Sequence, residues 1–279
     1  MDVRDLYSGE VLHRWEVDTP TVVACCEGRV FVATGAEVRS FDLVSGAEGP
    51  AFVGTTARVR TVATAVIEGR LLVATAGDDH VGRLWDATSG QLLPHCEFDS
   101  SYADKEISSL DFIWIGNRRR LVSGSYYGTV AHSLEVVTDD VSINRPDSKE
   151  LPLTHAANVR TVMQIGTVLY SGGDDRRIHG LDLETNRTVC VVDRAHRDGV
   201  SSLACAELDG QPVVISGGGD GQVRIWDAVL HPVASIPLDS RVLAITASGS
   251  TVLVGTRAGA VALDLTALSP TGERSVSLS

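Results

Sequence analysis

A short apolar run, a glycine-rich turn and a second, alternating run recur six times along this chain of 279 residues, and no other feature restricts its fold so tightly. The units read VFVATGAEVRSFDLVSG (30 to 46), ATAGDDHVGRLWDATSG (74 to 90), VSGSYYGTVAHSLEVVT (122 to 138), YSGGDDRRIHGLDLETN (170 to 186), SGGGDGQVRIWDA (216 to 228) and LVGTRAGAVALDLTALS (253 to 269). Each aligns on one acidic residue, at positions 42, 86, 135, 182, 227 and 264, spaced 37 to 49 residues apart. A further short apolar segment precedes each unit, starting near 22, 59, 107, 159, 200 and 242. Helical periodicity is absent, and strands of this length, separated by turns and repeated at this period, predict an all-β array.

Composition narrows what such an array does. With a net charge of -12 and a pI near 5.0 the chain lacks the clustered positive charge that phosphate binding needs, so neither nucleic acid nor a membrane surface is an expected partner. No window approaches the apolar length of a membrane span, no secretory leader is visible, and the expected location is the cytoplasm. The five cysteines (25, 26, 96, 190 and 205) form no CxxC pair, which predicts buried thiols in a reducing compartment and neither a disulfide framework nor a metal site. Two lysines, Lys105 and Lys149, against 22 arginines carry the bias of a GC-rich bacterial genome.

The glycines of 216 to 221 invite a phosphate-binding reading, but the run lacks the Lys-Ser/Thr of a P-loop and leads into a strand instead of a helix. Glycine suits a hairpin turn that needs positive φ. The repeat, with Trp85-Asp86 and Trp226-Asp227 and the degenerate Phe41-Asp42, Leu181-Asp182, Leu263-Asp264 and Leu134-Glu135, resembles the WD-repeat β-propellers over essentially the whole chain. That resemblance implies a single domain over 1–279 of six four-stranded blades, with inner strands near 20–46, 58–90, 106–137, 158–186, 199–228 and 241–266. Residues 10–17 start in mid-repeat and are expected to close the ring as the outer strand of the last blade, with 270–279 as a tail; the alternative is that the tail ERSVSLS supplies that strand.

His196, Ser216 and Asp220 supply the residue types of a nucleophilic triad. Their phase repeats, however: Thr75 and Asp79, Ser171 and Asp175, and Ser216 and Asp220 are each four apart, each Asp standing six before Trp85, Leu181 or Trp226. Catalysis needs one site, whereas a structural device recurs in each repeat. The resemblance implies a hydrogen-bonded network of His, Ser or Thr, Asp and Trp. His196, Ser216, Asp220 and Trp226 match it fully, His155, Ser171 and Asp175 match it with Leu181 in place of Trp, and Thr75, Asp79 and Trp85 match it without the His. Tyr127 and Ala103 stand where the third repeat's Asp and His belong. No catalytic residue, metal or cofactor is expected.

The same resemblance implies a rigid platform for a protein or peptide partner, on the face that carries the glycine-rich turns. Arg58, Arg60, Asp78, Tyr126, Asn158, Arg160, Asp174, Asp198 and Arg241 are the candidate contacts, since each adjoins the first inner strand or the turn Asp. The bland alternative is that these arginines are solvated or pair with nearby carboxylates. Two other functions stay open on the sequence: a sensor domain of a larger bacterial signalling ATPase or kinase, and an enzyme using the channel mouth.

Overall fold

The structure is a computed structural model. It describes the chain except residues 5–7, 9, 19, 100–106, 127, 138–141, 145–148 and 269–279. Tyr127, Ala103, Asp139, Asp140, Pro146 and the 270–279 tail therefore lie outside the described residues.

Apart from Lys149–Thr154, the strands of each sheet pair with their neighbours in chain order, as short connections dictate. The first sheet holds Val22–Cys26, Arg29–Thr34 and Glu37–Asp42; the second holds Val59–Ile67, Arg70–Gly77, Val81–Asp86 and Leu92–Asp99. Ile107–Ile115, Arg118–Ser125, Thr129–Val137 and Ser142–Asn144 make the third, where Lys149–Thr154 also pairs with Thr129–Val137. The fourth comprises Val159–Ile165, Val168–Gly173, Ile178–Asp182 and Arg187–Val192. Val200–Leu208, Gln211–Gly218, Gln222–Trp226 and Pro232–Pro237 form the fifth, and Val242–Ser248, Thr251–Thr256 and Gly259–Asp264 the sixth.

By internal contacts the chain divides into two compact units. The first takes Met1–Phe112, Asn117–Ser123 and His132–Lys149; the second takes Ile113–Gly116, Gly124–Ala131 and Glu150–Ser279. In the first unit Phe31, Phe52, Val73 and Trp85 form one core, and Leu72, Leu84, Ile107 and Leu121 another. In the second, Tyr170, Val200, Val214 and Trp226 pack together, and Ile215, Val223, Val242 and Val254 make a further cluster.

Burial within a sheet follows strand position. The second strand is covered on both sides, so it reads as a continuous apolar run; in Gln211–Gly218 only Gln211 and Pro212 are exposed. Outer strands such as Pro232–Pro237 alternate between exposed and half-buried. Each fully covered side chain contributes about 1.5–3 kcal/mol.

Two expectations need correction. Sheets of three, four and five strands stand where six equal four-stranded blades are expected. Beside the three strands of the first sheet lie two isolated bridges, Val38 to Phe52 and Phe41 to Glu48. The N-terminal strand, Val11–Arg14, pairs with Asp2–Arg4 and packs on the first sheet, so it is not seen as the outer strand of the last. Trp15, just beyond that strand, is buried: its ring stacks on Phe41 at 4.4 Å, and its indole N–H donates to the Gly46 carbonyl at 3.0 Å.

The glycine turn also has a different cause from the one expected. Of Gly217, Gly218, Gly219 and Gly221, only Gly221 has a positive φ, at 73°. Gly218 is glycine because a Cβ there would stand 2.2 Å from His196 Nδ1. Close approach of a network, more than turn geometry, selects it.

Candidate functional site

Five of the six anchors, the aspartates, are turn caps. Asp42 accepts N–H bonds from Val44 and Ser45, Asp86 from Thr88 and Ser89, Asp182 from Thr185, Asp227 from Val229 and His231, and Asp264 from Thr266. An aspartate that closes its own turn is a structural necessity in each repeat.

Above the caps lie the networks. In the fifth sheet Trp226 donates its indole N–H to Ser216 Oγ at 2.8 Å, Ser216 Oγ lies 2.8 Å from His196 Nε2, and His196 Nδ1 lies 2.8 Å from Asp220 Oδ1. The hydroxyl oxygen accepts the indole N–H and its O–H donates to Nε2, which leaves Nδ1–H to donate to the carboxylate. Arg224 Nη1 donates to Asp220 Oδ2 at 3.1 Å, and the Arg197 and Gln222 amides complete the carboxylate's set. Burial pushes Asp220 up, yet those amides and His196 outweigh it and hold the carboxyl at about 2. Burial pushes His196 below the usual imidazole range. Ser216 is fully buried and His196 nearly so, which leaves this triad no access to a substrate.

The second sheet builds a variant. Trp85 donates to Thr75 Oγ1 at 2.9 Å and Arg83 Nη1 to Asp79 Oδ2 at 2.6 Å. Thr56 takes the place of the missing His, its hydroxyl donating to Asp79 at 2.9 Å. In the fourth sheet His155 Nδ1 lies 2.9 Å from Asp175 Oδ1 and Nε2 lies 2.8 Å from Ser171 Oγ, while Leu181 fills the Trp position without a donor. The Ala156 and Arg177 amides hold Asp175, whose carboxyl sits below its ordinary range although burial opposes this.

Neither Arg83, Arg224 nor His179 figures among the sequence candidates. All three stand two before the Trp or Leu position, the signal that marks them as one set. His179 is buried, and that burial, with His155 beside it, lowers its pKa to about 4.

The candidate contact residues are local ion pairs more often than solvated cations. In the first unit Arg60 forks onto both oxygens of Asp78, and Arg58 is exposed nearby. In the second unit Arg160 forks onto Asp174 at 2.9 Å through both Nε and Nη2, and Arg241 pairs with Asp198 at 2.9 Å. Arg160, Asp174, Asp198 and Arg241 line one cavity of about 220 Å³, together with Val200, Val242, Leu243 and Arg257. Leu243 is 52% exposed there. Tyr126 is also 52% exposed, whereas Asn158 is only 6% exposed, so its side chain offers no contact surface. The thiols depart from expectation too: Cys25 and Cys205 are exposed, and Cys26 and Cys190 half-buried, because they sit on first and outer strands whose faces alternate.

A family model described as "WD domain, G-beta repeat" matches residues 187–227, the segment that contains His196, Ser216, Asp220 and Trp226. That segment is a WD repeat, and the chain is similar to the WD-repeat β-propellers. Over 64 residues, 23% of the chain, it is 42% identical to Cilia- and flagella-associated protein 52 of Bos taurus, and it covers 10% of that protein. THO complex subunit 6 homolog of Danio rerio is 42% identical over 60 residues, and THO complex subunit 6 of Homo sapiens 46% identical over 59. The matches cover 18% and 16% of those two proteins, so the chain spans under a fifth of each relative's length. The computationally designed Ika8 protein shares the fold, with a TM-score of 0.66 and 21% identity over 99% of this chain and 79% of its own.

Proposed function

We propose that this WD-repeat protein is a non-enzymatic scaffold that binds a protein or peptide partner, cradling an acidic side chain beside an apolar one. The observation that carries the reading is the cavity of about 220 Å³ in the second unit. Three arginines (160, 241, 257) and two aspartates (174, 198) surround Leu243 there, and Arg257 has no ion pair among the described residues. A guanidinium with no carboxylate partner, next to an exposed leucine, suits a peptide carboxylate with a neighbouring apolar residue. Arg58, Arg60 and Asp78 form a second local set in the first unit, and Tyr126 is an exposed aromatic anchor in the second.

A scaffold role also fits what the potential nucleophiles are doing. Ser216 is locked in its network, and burial pushes the Cys190 thiol up to about 11, so neither is activated. Four cysteines, free among the described residues, support a cytoplasmic location, and the net charge of -12 supports a partner that is neither nucleic acid nor an anionic membrane.

The test is selection from a random peptide library on the full chain, with binding of the enriched peptides measured by fluorescence anisotropy. Peptides carrying Asp or Glu beside Leu, Ile or Phe should emerge, and Arg257→Glu should weaken them at least ten-fold without lowering Tm. Enrichment with no acidic preference, or binding untouched by Arg257→Glu, overturns the reading.

A further inference from the structure

The fourth sheet departs from the second and fifth at two positions of the network, and together these departures create a cluster that the other two lack. Leu181 stands where Trp85 and Trp226 donate an indole N–H, and His179 stands where Arg83 and Arg224 set a guanidinium against the turn carboxylate. His155, Asp175 and His179 each bring a ligand-type atom within 4.8 Å of the other two, and the two imidazole centroids are 4.5 Å apart. His179 is 8% exposed, and its Nε2 is buried with no hydrogen-bond partner. A native core rarely leaves such an atom unsatisfied unless something else occupies it.

We infer that His155, Asp175 and His179 form a binding site for a divalent transition-metal ion of the zinc type. Two imidazoles and a carboxylate are a donor set that suits this ion, with water as the fourth ligand. Asp175 lines a cavity of about 630 Å³ in the second unit, so ion and water can reach the carboxylate. The 2.9 Å between His155 Nδ1 and Asp175 Oδ1 is close to the ~3 Å that separates two ligands on one ion at bond lengths near 2 Å.

The surroundings are arranged to hold these ligands. With no indole donating to Ser171, its Oγ can accept the His155 Nε2–H; the ring proton then sits on Nε2, and the Nδ1 lone pair faces the ion. The Ala156 and Arg177 amides fix the carboxylate from behind. The nearby positive charge of Arg177 is matched by Asp193 at 3.1 Å. The second and fifth sheets point the same way: Asp79 and Asp220 each have a guanidinium against one oxygen, Asp175 has His179 at the corresponding position, and a bound cation restores what the other two sheets carry in covalent form.

The experiment takes the full chain, stripped with a chelator and dialysed, and titrates it with Co²⁺ while visible absorption is followed, then displaces Co²⁺ with Zn²⁺. The variant His179→Arg installs the arrangement of the fifth sheet, so it removes one ligand while preserving a working network. Wild type should develop the ligand-field bands of one bound Co²⁺, lose them to Zn²⁺, and gain Tm with Zn²⁺. His179→Arg should bind at least ten-fold more weakly and show no gain in Tm. Absence of the bands in wild type, or equal binding by His179→Arg, overturns the assignment. Should that variant fail to fold, His179→Gln carries the same comparison with the same two outcomes.

Discussion

The fourth and fifth sheets carry the same His, Ser and Asp in the same phase, yet they neutralise the turn carboxylate in different ways. In the fifth, Arg224, His196 and two backbone amides surround Asp220, and an indole completes the chain. In the fourth, His155 and two amides hold Asp175, Leu181 contributes only apolar packing, and a histidine ring nitrogen is left without a partner. The difference teaches that a network of this kind tolerates the loss of its Trp so long as the carboxylate stays hydrogen-bonded. It also teaches that replacing the arginine leaves a binding position open.

The comparison breaks most readily at Gly218, where any Cβ would collide with His196; Gly218→Ala should cost about 3 kcal/mol in chemical denaturation, through overpacking of a buried ring. Asp220→Ala should cost on the order of 2–3 kcal/mol, and Asp175→Ala about 1 kcal/mol less, since Asp175 has no guanidinium to strand. Equal losses at the two positions would mean that Arg224 adds nothing. Acid should then separate the terms. Because the pKa of His196 is depressed on folding, the unfolded chain takes up a proton first, and stability falls as pH drops below about 6.5. Asp220 is likewise depressed, so its contribution is complete above about 4 and is lost as pH falls towards 2. A urea midpoint that rises on acidification from pH 7 to 5 would contradict this. The smallest effect belongs to the surface: Arg160→Ala and Arg241→Ala break exposed pairs and should each change stability by less than about 0.5 kcal/mol.

Much of this was legible in the residues. The aspartate anchors and the four-residue Ser/Thr-to-Asp spacing repeat too regularly to belong to a single catalytic centre. Other features left weaker traces. The role of Arg83 and Arg224 shows only as a shared offset from Trp, because the side chain must fold back four residues to reach its Asp. Thr56 substitutes for a histidine by a hydroxyl in a lead-in loop of different sequence, which alignment on residue type does not find. Residues 10–17 copy the phase of a strand, but phase does not say which strand it pairs with; among the described residues Val11–Arg14 pairs with Asp2–Arg4. Reasoning about metal from cysteine spacing passes over His179, which stands four residues after Asp175 and far in sequence from His155.

One recurrent contact bears on how such an array breathes. Two residues into a sheet's first strand, the hydroxyls of Thr61, Thr161 and Ser202 accept the amide protons of Leu110, Leu203 and Ile245, each in the first strand of the following sheet. A sheet that opens locally withdraws an acceptor from its successor, leaving that amide unsatisfied. Fluctuations in the second unit are therefore contagious along the chain direction, from the fourth sheet to the fifth and from the fifth to the sixth. In hydrogen exchange the Leu203 and Ile245 amides should report the opening of the preceding sheet as well as their own, and replacing Thr161 by Val should let Leu203 exchange as though it stood at a free end.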